Sequence, residues 1–225
     1  MALDAVFLSA LCSELSKTLV GAKIDKVQQP ERDQLLLSVR SRTFGNSKLL
    51  LSAGSGSARV HLTNQKYEQP QEPPMFCMLM RKHLQGGHIT EIAQLEGDRV
   101  LKITLENKDE MGDIAPRELY LELMGRHSNL TLVMNGRIVD AIRHVSYDMS
   151  RVRQALPGLP FVMPPQQDKL NPRTMTEKEL SERLTSCQGR LDKAISHTCY
   201  HHTTHLVHIA GQPKTEQHHQ GDEYE

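Results

Sequence analysis

Apolar side chains in the first part of the chain recur at three- and four-residue steps, which is the period of an amphipathic helix. This stripe comprises Leu3, Phe7, Ala10, Leu11, Leu15 and Thr18. Gly21 follows it, and glycine commonly ends a helix. The pattern therefore predicts a helix that ends at Gly21 and packs one face against a core.

Beyond Gly21 the period changes from helical steps to alternation, which is typical of half-buried strands separated by polar turns. The segments with this pattern are 22–28, 34–40, 48–53, 58–62, 88–94, 99–106, 118–124, 129–134 and 137–142. Asn135-Gly136 joins the last two and strongly favours a two-residue hairpin. A second helix, 75–85, is predicted between a Pro-Pro pair and a Gly-Gly pair. These elements indicate an α+β protein with an antiparallel sheet.

The pattern changes again near residue 155, where five prolines up to residue 173 predict an ordered but irregular connection. We therefore expect one domain over 1–173. Thr176 and Glu179 have the spacing of a capping box, and an amphipathic helix is predicted over 174–197. Residues 198–225 are polar and rich in histidine, and we expect a disordered tail there.

The amino-acid composition gives little information about binding partners. The chain has 27 basic and 27 acidic residues, so any affinity for RNA must come from a local patch. Its four cysteines have no short paired spacing, which is typical of reduced cysteines in a core. The N-terminus lacks the features of a signal peptide, and no stretch reaches the roughly 20 apolar residues of a membrane span. We expect a cytoplasmic protein with no membrane partner.

Several sequence blocks carry a family resemblance. In chain order they are MALD at 1–4, GAKIDKVQQP at 21–30, PPMFCMLMRKHL at 73–84, MGRHSN at 124–129 and LPG at 156–158. Together they resemble the N-terminal domain of the NFACT family, which includes bacterial RqcH, also called fibronectin-binding protein A, and eukaryotic NEMF. The resemblance covers residues 1 to about 195.

The resemblance implies a role in ribosome-associated quality control. Family members bind a split large ribosomal subunit that carries peptidyl-tRNA, and they recruit charged tRNA, alanyl-tRNA in bacteria, for C-terminal tailing of nascent chains. It also implies an antiparallel β-sandwich flanked by helices, similar to the N-terminal domain of formamidopyrimidine-DNA glycosylases. Relatives continue into further helical and RNA-binding regions, so this part alone should bind tRNA or the ribosome weakly.

The family's tRNA-contacting Asp-Arg pair maps by resemblance onto Asp98 and Arg99. An arginine can stack on a base or bind a phosphate, whereas phosphates repel an aspartate, which suits only donors on base edges. From spacing alone the simpler interpretation is a turn at Gly97-Asp98 followed by a solvated strand end. The resemblance favours the tRNA contact.

Five further residues are weaker candidates for RNA binding. Arg81 and Lys82 fall in the last turn of the second predicted helix, where cations also suit the helix dipole without any ligand. Arg126, His127 and Asn129 form a polar block that could hold phosphates and sugar hydroxyls, or could equally be a turn joined by side-chain hydrogen bonds. A Ser-His hydrolase is disfavoured, because neighbouring side chains in a strand or turn point apart.

The remaining sequence features weigh against catalysis and against a resident metal. Formamidopyrimidine-DNA glycosylases use an N-terminal proline amine followed by a glutamate. In this sequence Ala2 and Leu3 occupy those positions, so we expect no enzyme and no cofactor. Histidines of the tail could offer metal ligands, including His201, His205 and His208, yet their spacing matches no closed site. A fibronectin-binding surface adhesin is the alternative function, and the missing export signal disfavours it.

Overall fold

The computed structural model describes residues 5–95, 98–108, 111–165 and 175–186. The helices are α1 (Ala5–Leu19), α2 (Met75–Leu84) and α3 (Glu177–Ser186). The strands are β1 (Lys23–Gln28), β2 (Gln34–Ser41), β3 (Gly45–Ser52), β4 (Arg59–Thr63), β5 (His88–Gln94), β6 (Val100–Lys108), β7 (Ile114–Glu122), β8 (Asn129–Met134) and β9 (Arg137–Ala141). The α+β class is confirmed, and each predicted strand is present with ends that move by a few residues.

The strands form one antiparallel sheet in the order β4-β3-β2-β1-β5-β6-β7-β8-β9. Between β1 and β5 the paired register contains only Lys23 opposite His88, whereas the other neighbours pair over at least four residues. This short join, made by four backbone hydrogen bonds between residues 21–24 and 86–89, is called the seam below and divides the sheet into two halves. By hydrogen bonding the nine strands are thus one sheet with a seam, and both of its halves contribute to one buried core.

A single aliphatic core joins the two halves of the sheet. Leu37 on β2 and Leu49 on β3 belong to the same buried cluster as Leu101 and Leu105 on β6. Both α1 and α2 contribute to this cluster. Alternate residues of β2, β3, β6, β7 and β8 reach the core because successive side chains point to opposite faces of a sheet.

The first helix is present as predicted, but a different face is buried. Its buried residues are Ala5, Leu8, Cys12, Leu15 and Leu19, whereas Phe7 is 58% exposed. The first turns of α1 are apolar on most sides, so periodicity predicted the helix without fixing which face packs. Gly21 ends it in the left-handed region, with φ of 82°.

The hairpin between β8 and β9 confirms the turn predicted from Asn135-Gly136. Both residues have positive φ, 51° and 71°, as a type I′ turn requires. Beyond β9, residues 145–163 lie against the outer face of the same half of the sheet. Phe161 stacks on Tyr120 with ring centroids 4.2 Å apart, and this contact covers β7.

The chain divides into two units, Met1–Gln166 and Gln167–Glu225. In the second unit the capping box of α3 forms as predicted. Glu179 accepts a hydrogen bond from the Thr176 backbone N at 2.7 Å, and the Thr176 hydroxyl accepts one from the Glu179 backbone N at 3.3 Å. The predicted helix beyond Ser186 and the histidine-rich tail lie outside the described residues.

Candidate nucleic-acid interface

Asp98 and Arg99 lie at the tip of the β5–β6 hairpin, immediately before β6. The Asp98 backbone N donates to the Leu95 carbonyl at 2.9 Å, and its Oδ1 accepts a hydrogen bond from the Arg99 backbone N at 2.7 Å. Both residues are half-buried. Among the described residues the Arg99 guanidinium has no ion-pair partner, so it remains available to a ligand.

A glutamine amide fixes the position of this tip. Gln94 Nε2 donates to the carbonyls of Ala5 and Asp98, both at 2.8 Å, and so ties the hairpin to the first turn of α1. Sequence reasoning missed Gln94, because a glutamine in an alternating strand carries no signal for a partner that is 89 positions away. The Asp98 backbone is therefore held from two sides.

The turn Gly125–His127 lies at the same end of the sheet. The Leu123 backbone N donates to the Arg99 carbonyl at 2.8 Å, which places the β7–β8 connection beside the hairpin tip. Arg126 and His127 are exposed on this turn. The structure thus brings together four of the predicted residues, and Asp98, Arg99 and Gly125–His127 are called the loop surface below.

The two exposed side chains of the turn are coupled. Arg126 Nε donates a hydrogen bond to His127 Nε2 at 3.0 Å. The neighbouring Ser128 is buried, and its hydroxyl accepts a hydrogen bond from the Met124 backbone N at 2.9 Å. Ser128 therefore closes the turn and does not form a dyad with His127.

Asn129 corrects one expectation. The residue is 3% exposed, and its Nδ2 donates to the Arg143 carbonyl at 2.9 Å. Its Oδ1 accepts hydrogen bonds from the backbone N of Leu130 and of Arg143, at 2.9 and 3.1 Å. The Asn129 side chain thus connects β8 to the segment after β9 by hydrogen bonds, and it is not available to RNA in this conformation.

Arg81 and Lys82 do not converge with the loop surface. Arg81 Nε donates to the Val27 carbonyl at 3.0 Å, on the opposite side of the seam. The end of α2 is joined to β6 through Asn107, which donates to the His83 carbonyl at 2.9 Å. Asn107 lies seven residues from Val100, about 23 Å along the strand from the loop surface. Any RNA contact of these cations would be a separate one.

A buried ion pair lies next to the loop surface. Glu122, the last residue of β7, is paired with Arg153, and the two side chains are 3% and 15% exposed. Burial raises the pKa of the Glu122 carboxyl, the cationic Arg153 opposes that shift, and the negative charge of Asp98 adds to it. Asp98 is therefore close enough to interact electrostatically with this pair, which sequence reasoning did not identify.

Three further features of the described residues concern thiols, metal ligands and membrane spans. Burial raises the pKa of both Cys12 and Cys77, which disfavours the reactive thiolate form. No group of three or more metal-ligating side chains occurs in the described part of the chain, and the histidines considered as metal ligands lie outside it. No described helix has the length and apolarity to cross a membrane.

Comparison with known proteins decides the family. Residues 4–207 match the family described as NFACT N-terminal and middle domains. The chain belongs to this family. Among NFACT relatives, it is 41% identical over 197 residues to the Rqc2 homolog RqcH of Bacillus subtilis, an alignment that covers 87% of this chain and 34% of that protein. This chain therefore spans about a third of the length of that NFACT relative.

Two other NFACT relatives have informative names. The ribosome quality control complex subunit NEMF of Homo sapiens is 28% identical over 123 residues, which are 55% of this chain and 11% of NEMF. The crystal structure of the N-terminal domain of the fibronectin-binding protein PavA from Streptococcus pneumoniae superposes with a TM-score of 0.82 at 35% identity. It covers 92% of this chain and 80% of that one. The NFACT resemblance stated from sequence blocks is thus confirmed.

Proposed function

We propose that this chain is the RNA-binding N-terminal part of a cytoplasmic NFACT factor that acts in ribosome-associated quality control, and that its loop surface contacts tRNA. The observation that carries the proposal is the position of Asp98 and Arg99 beside Arg126 and His127 at one end of the sheet. Here an arginine with no described ion-pair partner lies next to an aspartate, and the turn beside them exposes a second arginine.

The chemistry of the loop surface favours RNA with accessible bases. Guanidinium groups bind phosphates or stack on bases, and unpaired bases offer donors to a carboxylate. Asp98 would weaken a purely electrostatic contact, so its presence supports recognition of base edges over backbone binding alone. A folded RNA with exposed bases, such as tRNA, has both features.

The wider role extends the proposal to the whole protein. In it, the full-length factor binds the large ribosomal subunit carrying peptidyl-tRNA and recruits tRNA, alanyl-tRNA in bacteria, for tailing of the nascent chain. The names of the RqcH and NEMF relatives support this role. Because further RNA-binding regions add to the effective concentration, we expect the present chain alone to bind more weakly than the whole factor does.

Titration of the chain with unfractionated tRNA in a gel-shift assay tests the proposal. Asp98→Ala and Arg99→Ala should each weaken binding about tenfold, which corresponds to the loss of one charge-assisted contact. Arg32→Ala is the matched control, because Arg32 is an exposed arginine outside the loop surface. Unchanged tRNA affinity in both loop-surface variants would contradict the site assignment.

A fibronectin-binding adhesin is the second candidate, since the PavA structure carries that name. The two candidates differ in where the protein must be found. Labelling intact cells with a membrane-impermeant reagent should leave the protein unlabelled if it works at the ribosome. Strong surface labelling together with fibronectin capture by the purified chain would favour the adhesin.

We also propose that the chain has no glycosylase activity, even if its fold is similar to that of formamidopyrimidine-DNA glycosylases. Base excision of that class uses the secondary amine of an N-terminal proline to form an iminium, and Ala2 has no secondary amine. Borohydride treatment of the chain with damaged DNA should give no covalent adduct. A trapped adduct would contradict the proposal.

A further inference from the structure

A basic groove of about 590 Å³ lies at the seam, away from the loop surface. Its cationic lining residues are Lys23, Arg40 and Arg42, with His88 beside them, and the residues that line it include no acid. Lys23 and His88 are the residues of β1 and β5 that lie in register across the seam. The groove therefore forms where β1 and β5 diverge, at the tip of the β2–β3 hairpin.

The positive charge of this groove is only partly neutralised. Arg40 Nη2 contacts Asp25 Oδ1 at 3.2 Å, in a pair whose side chains are 59% and 39% exposed. Among the described residues, neither Lys23 nor Arg42 has an ion-pair partner. In a chain with no net charge, two cations without such partners in one groove are a local positive excess.

An aromatic side chain lies beside these cations. Phe44, next to Thr43 at the hairpin tip, is 55% exposed. The tip itself is ordered, because the Ser41 hydroxyl accepts hydrogen bonds from the backbone N of Thr43 and of Phe44, both at 3.3 Å. An exposed ring on a fixed turn beside an arginine has the properties of a stacking platform for an unpaired base.

We propose that this groove is a second RNA contact, in which Lys23 and Arg42 bind backbone phosphates and Phe44 stacks on an unpaired base. The groove and its rim at Phe44 are called the hairpin groove below. RNA fits better than an acidic peptide, because the cations bind either ligand but an exposed ring favours a planar base. The inference rests on the proposed function and adds a second surface to it.

One RNA could reach both surfaces. β5 runs from His88 at the hairpin groove to Gln94 at the loop surface, which is about 20 Å over six residue steps. The 15-residue helix α1 spans the same interval, from Ala5 near Asp98 to Leu19 near the groove, about 21 Å. At about 3.4 Å per nucleotide along one strand, this separation corresponds to roughly six nucleotides.

Two probes and four variants test the inference on the whole chain. The probes are unfractionated tRNA and a single-stranded hexauridylate, titrated at several salt concentrations. Phe44→Ala should weaken hexauridylate binding about fivefold or more, and Phe44→Tyr should restore it. Arg42→Ala should reduce the slope of log affinity against log salt by about 0.7, and Arg42→Lys should restore it.

Arg32→Ala is the control for lost charge. Arg32 precedes β2, so it lies about 23 Å along that strand from the tip at Ser41. Both test residues, Arg42 and Phe44, are exposed, and unchanged thermal midpoints would verify that their variants fold. The control should leave both affinities within about twofold of wild type.

The outcomes separate this inference from the proposed function. If Asp98→Ala weakens tRNA binding while the Arg42 and Phe44 variants bind both probes like wild type, the hairpin groove is refuted and the proposed function stands. If wild type binds hexauridylate through Arg42 and Phe44 but does not bind tRNA, the groove stands and the proposed function fails. Equal competition by polyglutamate for the groove would also overturn the inference, since that peptide has no base to stack.

Discussion

Two ion pairs at the two ends of β5 show different uses of charge. Glu122 and Arg153, beneath the loop surface, are 3% and 15% exposed, whereas Asp25 and Arg40, beside the hairpin groove, are 39% and 59% exposed. A buried pair costs much when one partner is removed, but water and salt screen an exposed pair. The ion pair next to the loop surface therefore contributes to the stability of the fold. Charges at the hairpin groove, in contrast, can be changed with little effect on the free energy of unfolding.

This difference matters for mutational tests of RNA binding. A substitution beneath the loop surface that weakens RNA binding would also destabilise the fold, so affinity alone would not identify a contact. Substitutions at the hairpin groove should separate the two effects. Four stability measurements would test this contrast, from the largest expected effect to the smallest.

The largest effect is expected for Arg153→Ala. Removal of the cation leaves the buried Glu122 carboxylate without its partner and also removes a guanidinium 5.9 Å from the Phe161 ring centre. We expect a loss of about 3 kcal/mol in the free energy of unfolding, measured by urea denaturation. Arg151→Ala, an exposed arginine in the same segment, should change it by less than about 0.5 kcal/mol. Equal losses in the free energy of unfolding for the two variants would contradict the expected difference between buried and exposed charges.

Asn129→Ala should have the next largest effect. The substitution removes three hydrogen bonds made by the side chain to residues 130 and 143 and leaves buried backbone groups without partners. We expect a loss of about 2 kcal/mol by the same denaturation measurement. A stability unchanged from wild type, together with weaker tRNA binding, would make Asn129 a candidate RNA contact again.

The pH dependence of stability tests the environment of Glu122. Because its pKa is raised in the folded state above the ordinary 4.5, the folded protein holds this proton more tightly than the unfolded chain does. The resulting stability is fully present below the ordinary pKa and is lost as pH rises through the folded value. Relative to Glu122→Gln, the wild-type free energy of unfolding should therefore fall as pH rises from about 4.5. A constant difference between the two proteins would show that this pKa is not raised.

The smallest effect is expected at the exposed pair. Asp25→Asn removes the partner of Arg40 in a pair that is largely solvated. We expect the free energy of unfolding to change by no more than about 0.5 kcal/mol, with even less difference at high salt. A loss comparable to that of Arg153→Ala would show that the hairpin groove also supports the fold.

Local sequence patterns predicted most of the elements, because each depends on neighbouring residues. The turn at Asn135-Gly136 and the capping box at Thr176 and Glu179 required nothing beyond a few positions. The predicted buried face of α1 was wrong in part, because its first turns are apolar on most sides. The seam was not predicted, since alternation identifies strands without their partners.

The candidate site was less predictable than the fold. Asp98 and Arg99 came from a family resemblance, and spacing alone favoured an ordinary turn. The supporting contacts of Glu122 and Gln94 join residues 31 and 89 positions apart, so no local pattern contains them. Asn129 has the sequence character of an exposed polar residue, and only its hydrogen-bond partners identify it as buried.

Hydrogen exchange of the whole chain with and without unfractionated tRNA tests the central claim most directly. The backbone amides of Arg99, His127 and Ser128 should exchange more slowly when tRNA is bound, because the loop surface is then covered. The amides of the β3–β4 pair at Ser52 and Arg59 serve as the internal reference. Protection confined to other segments, with exchange at Arg99 and His127 unchanged, would contradict the claim that tRNA binds the loop surface.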